Sequence, residues 1–145
     1  MRPLKLRIQA FGSYVDEQVL DFETALADAP FLLIHGATGS GKTTILDAIV
    51  FALYGESSGD IREGAMLRSS TAPPDRTTEV EYVFALGRRR YRVLRSPAYS
   101  RMSRGKMTRR SATGQLFRLP DVGERGEEKL LAANITDVSE HISQL

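Results

Sequence analysis

The sequence predicts an α/β fold in which a mixed sheet surrounds one central helix and antiparallel hairpins pack beside it. Three observations support this prediction. Apolar and polar residues alternate near the N-terminus, as in a strand with one buried face. Residues 31–34 are apolar without interruption, as in a strand covered on both faces. Apolar positions then recur at helical spacing between residues 45 and 53, which predicts one amphipathic helix.

The first elements follow directly from these patterns. Residues 11–14 interrupt the first strand as a turn, and residues 18–22 predict a second strand that completes an N-terminal hairpin. The central helix should end at Gly55, because glycine enters a left-handed C-terminal cap without steric cost. The alternating apolar residues of the first strand are Leu4, Leu6, Ile8 and Ala10.

The second half of the chain predicts more β-structure. Two β-like runs lie on either side of a Leu86-Gly87 turn and indicate a hairpin. The runs are 79–85 and 89–95, with an irregular connection at 56–74 before them, a basic loop at 96–114 and one more strand at 115–119 after them.

The C-terminal residues predict a helix. Asp137 and Glu140 fit an N-cap and its reciprocal acid, and the mixed charges of 124–129 indicate a solvated helix start before it. The residues expected to share the buried face are Val138, Ile142 and Leu145.

Length and composition set the protein class. The 145 residues predict one domain covering 1–145, and 41% hydrophobic with 26% charged residues is typical of a soluble globular chain. The absence of cysteine excludes disulfides, zinc-thiolate sites and a thiol nucleophile. No apolar run approaches the 18 or so residues that a membrane span needs. We therefore expect a cytoplasmic protein without membrane contact.

The net charge of +2 conceals a strong segregation of charge along the chain. Residues 82–120 contain no Asp or Glu but eleven Arg and Lys residues, which leaves the remainder acidic. Such a stretch suits a polyanion, because each cation that neutralises a phosphate adds salt-dependent affinity. The alternatives are a solvated surface loop or a contact with a protein partner.

A phosphate-binding loop lies between the predicted buried strand and the central helix. The segment satisfies G-x-x-x-x-G-K-[ST] at every fixed position, in the strand–loop–helix context that this motif requires. Its glycines let backbone N–H groups wrap a phosphate, Lys42 would reach the β- and γ-phosphates of ATP, and the Thr43 hydroxyl would bind Mg²⁺. The expected nucleotide-binding residues are Gly36, Ala37, Thr38, Gly39, Ser40, Gly41, Lys42, Thr43 and Thr44, with Lys42 as the catalytic residue.

The rest of a hydrolytic site is missing from the sequence. No apolar strand followed by an acid occurs after the loop, and no Asn-Lys-x-Asp stretch is present to bind guanine. The chain therefore has half of an ATPase site. Another P-loop enzyme, such as a small-molecule kinase, and a DNA-binding module with a non-catalytic loop remain alternatives.

Several stretches resemble the N-terminal segment of the SbcC family, the large ATPase subunits of bacterial SbcCD nucleases, which are similar to other ABC-type ATPases. The segments that carry the resemblance are Leu4 to Tyr14, Asp21-Phe22, Phe31 to Gly55 and Tyr91 to Lys106. The resemblance implies an ATPase head built from both ends of a long chain, of which this chain would be the N-terminal lobe, with the coiled coil and the C-terminal half outside it. The signature motif, the Mg²⁺-binding acid and the catalytic glutamate would come from the C-terminal half.

The resemblance also implies partners. Two heads would form a homodimer around two ATP molecules, together with an SbcD-type nuclease subunit and double-stranded DNA at the nucleoid. Met66, Leu67 and Arg68 correspond to residues near the adenine and ribose in related heads, whereas Gly12 stands where relatives often have a basic residue. The DNA-contact candidates are Arg88, Arg90, Arg92, Arg101, Arg104, Lys106, Arg109 and Arg110.

We expect the remaining polar and aromatic residues to support the fold or the loop rather than to bind ligand directly. His35 is expected to be packed or hydrogen-bonded locally, His141 to be a surface residue, and Asp47 to act indirectly near the loop. The aromatic residues predicted to pack in the core are Tyr54, Tyr82, Tyr91 and the six Phe.

Overall fold

The structure, a computed structural model, describes residues 1–27, 31–56, 67–103 and 105–145, apart from the side chain of residue 103. Within these ranges the chain forms three helices and eight strands. In chain order they are β1 (Arg2–Gln9), β2 (Gln18–Asp21), α1 (Phe22–Ala25), α2 (Lys42–Tyr54), β3 (Glu79–Leu86), β4 (Arg89–Ser96), β5 (Tyr99–Ser103), β6 (Lys106–Arg110), β7 (Thr113–Leu119), β8 (Lys129–Ala132) and α3 (Ile135–Ser143).

Six strands form one sheet in the order β2-β1-β3-β4-β7-β8, and β5 pairs with β6 in a separate ribbon. The N-terminal hairpin and the β3–β4 hairpin are confirmed, although Leu86 pairs with Arg89 and so the second turn is Gly87-Arg88. Every strand pairing in the described residues is antiparallel, so the α/β class is confirmed but the expected mixed sheet is wrong there.

The predicted buried strand at residues 31–34 is also wrong. The segment has no strand conformation, and Phe31 and Leu33 are 86% and 81% exposed. A strand must pair its backbone N–H and C=O groups with a neighbour. Both edges of the described sheet, β2 and β8, lack a pairing with this segment, and of its four apolar residues only the half-buried Ile34 packs against the described core.

One face of the sheet carries the core, where α2 and α3 cover it. Phe51 lies 5.5 Å from Phe11 between ring centroids, and Val138 of α3 is fully buried. Burial of this apolar face removes each side chain from water and is the main stabilising contribution to the fold. The sheet residues of this core include Leu6, Ile8, Val80, Tyr82, Phe84, Tyr91, Val93 and Leu116.

A bulge in β1 moves Leu4 away from that core. The register between β1 and β3 shifts between Pro3 and Lys5, and Leu4 instead packs in a second cluster with Val83 and Ala85. An extra residue in one strand reverses the side to which its neighbours point. The predicted burial is therefore confirmed for Leu4, Leu6, Ile8 and Ala10, although Leu4 packs on the opposite side of the sheet from Leu6 and Ile8.

Arg95 fixes the end of the central helix. Gly55 adopts the predicted left-handed cap, with φ +78° and its N–H donating to Phe51 O at 2.8 Å. The buried Arg95 guanidinium donates to Ala52 O at 2.8 Å and Leu53 O at 3.3 Å, and to Ser139 Oγ of α3 at 3.1 Å. A cation at these carbonyls satisfies acceptors that the helix itself leaves unpaired. Desolvation lowers the pKa of Arg95.

The C-terminal prediction is only partly right. Residues 124–128 form no helix, and Lys129 begins β8 instead, so the predicted helix start at 124–129 is wrong. Asn134, not Asp137, is the N-cap of α3, because its side-chain oxygen accepts the Asp137 N–H at 2.9 Å. The buried face is confirmed for Val138 and Ile142, whereas Leu145 is 48% exposed.

The predicted basic loop at 96–114 contains regular structure. β5 and β6 form a two-stranded ribbon within it, with Gly105 at φ +75° in the turn. Its strands lack the apolar alternation by which strands are recognised in a sequence, because polar or charged residues occupy most of the exposed positions. None of the helices in the described part of the chain is long and apolar enough to span a membrane.

Candidate nucleotide-binding site

The glycine-rich loop leads directly into α2. Residues 35–40 are exposed, and α2 begins at Lys42 with Gly41 as its N-cap at φ +90°. Glycine is the residue that adopts this left-handed conformation without strain. Gly41 offers no side-chain hydrogen bond to the first N–H groups of the helix. These donors and the positive end of the helix are thus available to an anion.

Lys42 and Thr43 follow Gly41 in the first turn of α2, beside the glycine-rich loop. Lys42 Nζ is at the loop itself, donating to Gly36 O at 2.9 Å and Ala37 O at 2.7 Å. The Thr43 side chain is exposed beside it. An ammonium group over the loop and a hydroxyl at the start of the helix fit the phosphates and Mg²⁺ of a nucleotide.

Thr44 is arranged differently from Thr43. It is 7% exposed, and its Oγ1 lies 3.1 Å from Ser13 Oγ in the turn after β1. Its side chain is therefore used within the protein, and any contact between Thr44 and a phosphate would come from its backbone N–H.

The turn at residues 11–14 clamps the loop against the sheet. Tyr14 Oη donates to Gly41 O at 3.3 Å, and a Cβ atom at Gly41 would lie only 2.7 Å from Ser13 Oγ. These contacts fix the position of the helix N-terminus relative to β1. Sequence reasoning identified the turn but not the role of Ser13 and Tyr14, whose only signal was two hydroxyl groups after Gly12.

Leu67 and Arg68 lie beside this turn. Gly12 N–H donates to Leu67 O at 2.8 Å, and Phe11 forms a β-bridge with Arg68. Leu67 is buried at 3% exposure, so its side chain belongs to the core. The structure thus brings two of the three predicted adenine-side residues close to the loop, while Met66 lies outside the described residues.

The Arg68 guanidinium is hydrogen-bonded to the loop at residues 72–78. It donates to Arg76 O at 2.8 Å, Thr78 Oγ1 at 2.7 Å and Pro73 O at 2.7 Å, and it lies 4.7 Å from the centroid of the Tyr99 ring. These acceptors use most of its five N–H donors. The contact that Arg68 leaves for a nucleotide is therefore chiefly through its backbone.

The cations of the basic stretch 82–120 fall into two groups, those in ion pairs within the protein and those without an ion pair to a described residue. Arg92 is paired with Glu81 at 3.3 Å and with Glu128 at 2.5 Å on the outer face of the sheet, and Arg90 lies 3.7 Å from Glu23. The charges of Arg90 and Arg92 are thus largely compensated within the protein.

The other DNA-contact candidates are more accessible. Arg88 is exposed in the β3–β4 turn, whereas Arg101 is half-buried and donates to Pro74 O at 2.9 Å. Three exposed cations on β6 form no ion pair with any described residue, and Arg104 lies outside the described residues. The three are Lys106, Arg109 and Arg110.

Several supporting predictions were also tested. His35 is exposed, so the packed alternative is wrong, while a local hydrogen bond of His35 stays a prediction. Tyr54 is 59% exposed because it lies on the outer side of α2, and its predicted core position is wrong. His141 is confirmed as a surface residue, and Asp47 is buried at 3% exposure on α2. The core prediction is confirmed for Tyr82, Tyr91 and four of the six Phe residues, whereas Phe31 is exposed and Phe117 is half-buried beneath the Arg92 guanidinium. Among the described residues, no cluster of His, Asp and Glu could hold a metal ion by itself.

Curated proteins with assigned names are similar in sequence to most of this chain. The SbcC subunit of nuclease SbcCD from Vibrio cholerae serotype O1 is 46% identical over 125 residues, which cover 85% of this chain and 12% of that protein. Its counterparts in Lactococcus lactis and Staphylococcus saprophyticus are 35% and 42% identical, over 100% and 68% of this chain. The chain spans only 10–14% of the length of these curated relatives.

A protein-family model, described as an AAA domain, matches residues 5–144, nearly the whole chain. The matched region contains the glycine-rich loop, the clamp around it, most of β1 and all the other strands. The resemblance to an N-terminal SbcC segment is confirmed by these relatives. The chain therefore belongs to the AAA domain family of P-loop proteins.

Proposed function

We propose that this chain is the ATP-binding half of an SbcC-type ATPase head, which couples ATP binding and hydrolysis to DNA end processing and double-strand break repair by a nuclease subunit. The observation that carries the proposal is the exposed glycine-rich loop at the uncapped N-terminus of α2, in a chain whose relatives are named as the SbcC subunit of nuclease SbcCD. Residues 36–44 hold the phosphates of ATP through backbone N–H groups and the Lys42 ammonium.

Thr43 binds the Mg²⁺ ion that accompanies ATP. Its hydroxyl is exposed at the first turn of α2, next to Lys42, whereas the neighbouring Thr44 hydroxyl is engaged with Ser13. The bound metal ion would supply positive charge that neutralises the phosphates. The described residues contain no acidic cluster that could hold the rest of its shell, and we assign those carboxylates to the C-terminal half of the head.

A second protein layer covers the outer face of α2. Leu46 and Tyr54 on that face are 56% and 59% exposed, with the half-exposed Val50 between them, and the exposed residues 31–33 add further apolar surface. A helix that is apolar all round is normally buried on every side. We assign this surface to the C-terminal half of the same head, which also supplies the missing catalytic acids.

The assembled head works with further partners. A second head completes each ATP site in a homodimer, an SbcD-type nuclease hydrolyses the DNA, and the complex acts on double-stranded DNA in the cytoplasm at the nucleoid. The cations of β6 that are exposed and without ion pairs support the DNA contact, because they offer positive charge that no carboxylate in the described chain compensates.

ATP titration of the reconstituted head tests the proposal. Lys42→Ala removes the ammonium from the loop and should abolish measurable binding of a fluorescent ATP analogue, whereas Lys129→Ala, an exposed lysine on β8, should bind as the wild type does. Equal ATP affinity in both variants would contradict the assignment. Phosphate transfer to a metabolite by this chain alone would support a small-molecule kinase instead, and ATP-independent DNA binding unaffected by Lys42→Ala would support a DNA-binding module.

A further inference from the structure

Arg95 carries a buried positive charge that no carboxylate of the described chain neutralises. Its side chain is 1% exposed, and none of the ion pairs formed by the described residues includes it. Burial of a charge without a counter-ion is costly, and desolvation lowers the pKa of Arg95 for this reason. An anion beside the guanidinium would offset part of that cost.

The Nη1 atom is the part of the Arg95 guanidinium that is left for such an anion. Nε and Nη2 donate to Ala52 O, Leu53 O and Ser139 Oγ, whereas Nη1 donates to no acceptor within the residues that the structure describes. It lies 3.0 Å from the position that a Cβ of Gly55 would take. Because the N–H groups of a charged guanidinium form their strongest hydrogen bonds with ionised oxygens, Nη1 favours an anion over a neutral ligand.

A cavity of about 170 Å³ is lined by Arg95 and Gly55 at the end of α2. One water molecule needs only about 10–15 Å³, so the cavity has room for a small organic ligand. Most of its wall is apolar, and the apolar part is contributed by Phe51, Pro97, Ala98, Ala112 and Ile135. The cavity therefore combines a buried cation with a surface that a short hydrocarbon chain can contact.

The N-terminus of α3 adds to the positive charge at this cavity. Ile135, the first residue of α3, belongs to the cavity wall, and the N-terminal end of a helix carries a partial positive charge. The acid in the first turn, Asp137, does not line the cavity, and its carboxylate accepts a hydrogen bond from Asn134 Nδ2 at 2.7 Å. The guanidinium and the helix end thus act on a ligand in the same direction.

We propose that this cavity binds a small carboxylate, which accepts hydrogen bonds from Arg95 Nη1 and packs its hydrocarbon part against the apolar wall. A carboxylate matches one guanidinium better than a phosphate group, which brings up to two charges and three strong acceptor oxygens. Few other polar groups are available, since Ser96 Oγ already donates to Thr78 O and Thr113 has the other hydroxyl in the wall.

Two sources offer this chemistry: a free short-chain carboxylic acid, and an Asp or Glu side chain of the nuclease partner. The second source rests on the proposed function, whereas the cavity itself does not. It lies at the C-terminal end of α2, and the glycine-rich loop lies at the N-terminal end. The inference therefore adds a second ligand site to the one for ATP.

Saturation-transfer NMR on the full-length ATPase chain tests the inference with propionate as the probe. The methyl protons of bound propionate take up saturation from protein protons, and titration of this signal gives the affinity. We expect the affinity for propionamide, the neutral analogue, to be at least about tenfold lower because it offers no charged oxygen to Nη1. A non-hydrolysable ATP analogue at saturation should leave the propionate signal unchanged, because the two ligands occupy opposite ends of α2.

Two substitutions identify the cavity as the place of binding. Ala112→Phe fills it and leaves the hydrogen bonds of Arg95 in place, so we expect at least about a tenfold loss of propionate affinity. The control Ala25→Phe puts the same ring at an exposed position of α1 and should bind propionate as the wild type does. Arg95→Gln should also lose the probe, and Ala112→Phe decides the question if that variant does not fold.

Addition of the nuclease subunit distinguishes the two sources. A propionate signal that persists in the complete complex indicates a free acid, and a signal that is lost there indicates that a carboxylate of the partner occupies the cavity. Three results would overturn the inference: no propionate signal from the wild-type chain, wild-type affinity in Ala112→Phe, or displacement of propionate by the ATP analogue. None of them bears on the proposed function, which is tested by ATP binding to Lys42→Ala.

Discussion

A Cβ atom at Gly12 would lie 2.5 Å from Cγ2 of Thr44, a separation that no pair of side chains tolerates. The turn after β1 and the first turn of α2 are thus in direct contact, and the absence of a side chain at position 12 is what permits it. The Ser13–Thr44 and Tyr14–Gly41 hydrogen bonds extend the same contact on either side. The phosphate-binding loop is therefore held from the sheet as well as from its own helix.

Gly12→Ala should destabilise the head and weaken ATP binding together. Gly12 has φ +56° and Gly87 has φ +59°, but a Cβ at Gly87 would have no atom within 4 Å, so Gly87→Ala is a matched control for backbone strain alone. We expect Gly87→Ala to cost about 1 kcal/mol and Gly12→Ala about 1–3 kcal/mol more. Thermal unfolding and ATP titration of the reconstituted head measure both; equal melting temperatures and affinities would disprove the close contact.

The two threonines after Lys42 should respond differently to alanine. Thr43→Ala removes an exposed hydroxyl and should lower Mg²⁺-ATP affinity at least about tenfold, with little change in melting temperature. Thr44→Ala removes the bond to Ser13 and should cost about 1 kcal/mol of stability, with a smaller effect on Mg²⁺ dependence. A Mg²⁺ titration of ATP binding compares them, and the reverse pattern would move the metal contact to Thr44.

Leu46→Glu should disrupt assembly with the C-terminal half of the head. A carboxylate on the outer face of α2 would be buried there without a partner, which costs several kcal/mol and should weaken the association about 100-fold or more. Val122→Glu is the control, because Val122 is 71% exposed but lies near the β3–β4 turn, away from α2. Pull-down with a tagged C-terminal half checks this, and wild-type recovery of Leu46→Glu would remove this face from the interface.

Stability should decline in alkali because of Tyr82. Burial raises the pKa of Tyr82 to about 12, above its ordinary value of 10, so in the pH range between these values the unfolded chain loses a proton that the folded chain keeps. The contribution is complete below pH 10 and decreases as pH rises, by up to about 1.4 kcal/mol per pH unit.

Tyr82→Phe should remove this part of the alkaline loss, whereas Tyr54→Phe, at an exposed position, should retain it. Melting temperatures of the head between pH 9 and pH 11 compare the two variants. A parallel decline in all three proteins would show that Tyr82 is not responsible.

Local patterns predicted those elements whose partners lie within the chain. The alternation in β1, the β3–β4 hairpin and the helix ending at Gly55 each follow from residues that contact one another in the described structure. The loop at residues 36–43 was likewise recognised because its glycines and lysine act within one short segment.

The structural features that were wrongly predicted or missed have a different physical cause. The apolar run at 31–34 predicts burial, but only Ile34 packs against the described core, and residues 31–33 are exposed there. The β5–β6 ribbon is mostly polar on its exposed positions and gives no apolar period. The clamp of Ser13 and Tyr14 on the loop depends on a contact over about 30 residues of chain, for which local periodicity carries no information.

Arg95 has a consequence for how this family can change over evolutionary time. Its Nη1 atom would lie 3.0 Å from a Cβ at Gly55 and 3.6 Å from one at Gly114, so the guanidinium fills the space that both glycines leave. An alanine Cβ would press on the guanidinium at Gly55 and reach ordinary contact with it at Gly114, so a side chain larger than alanine at either position would favour a smaller residue at 95. A smaller residue at 95 would in turn leave the carbonyls of Ala52 and Leu53 without their donor. We therefore expect these three positions to covary in homologous sequences, as a group inherited or replaced together.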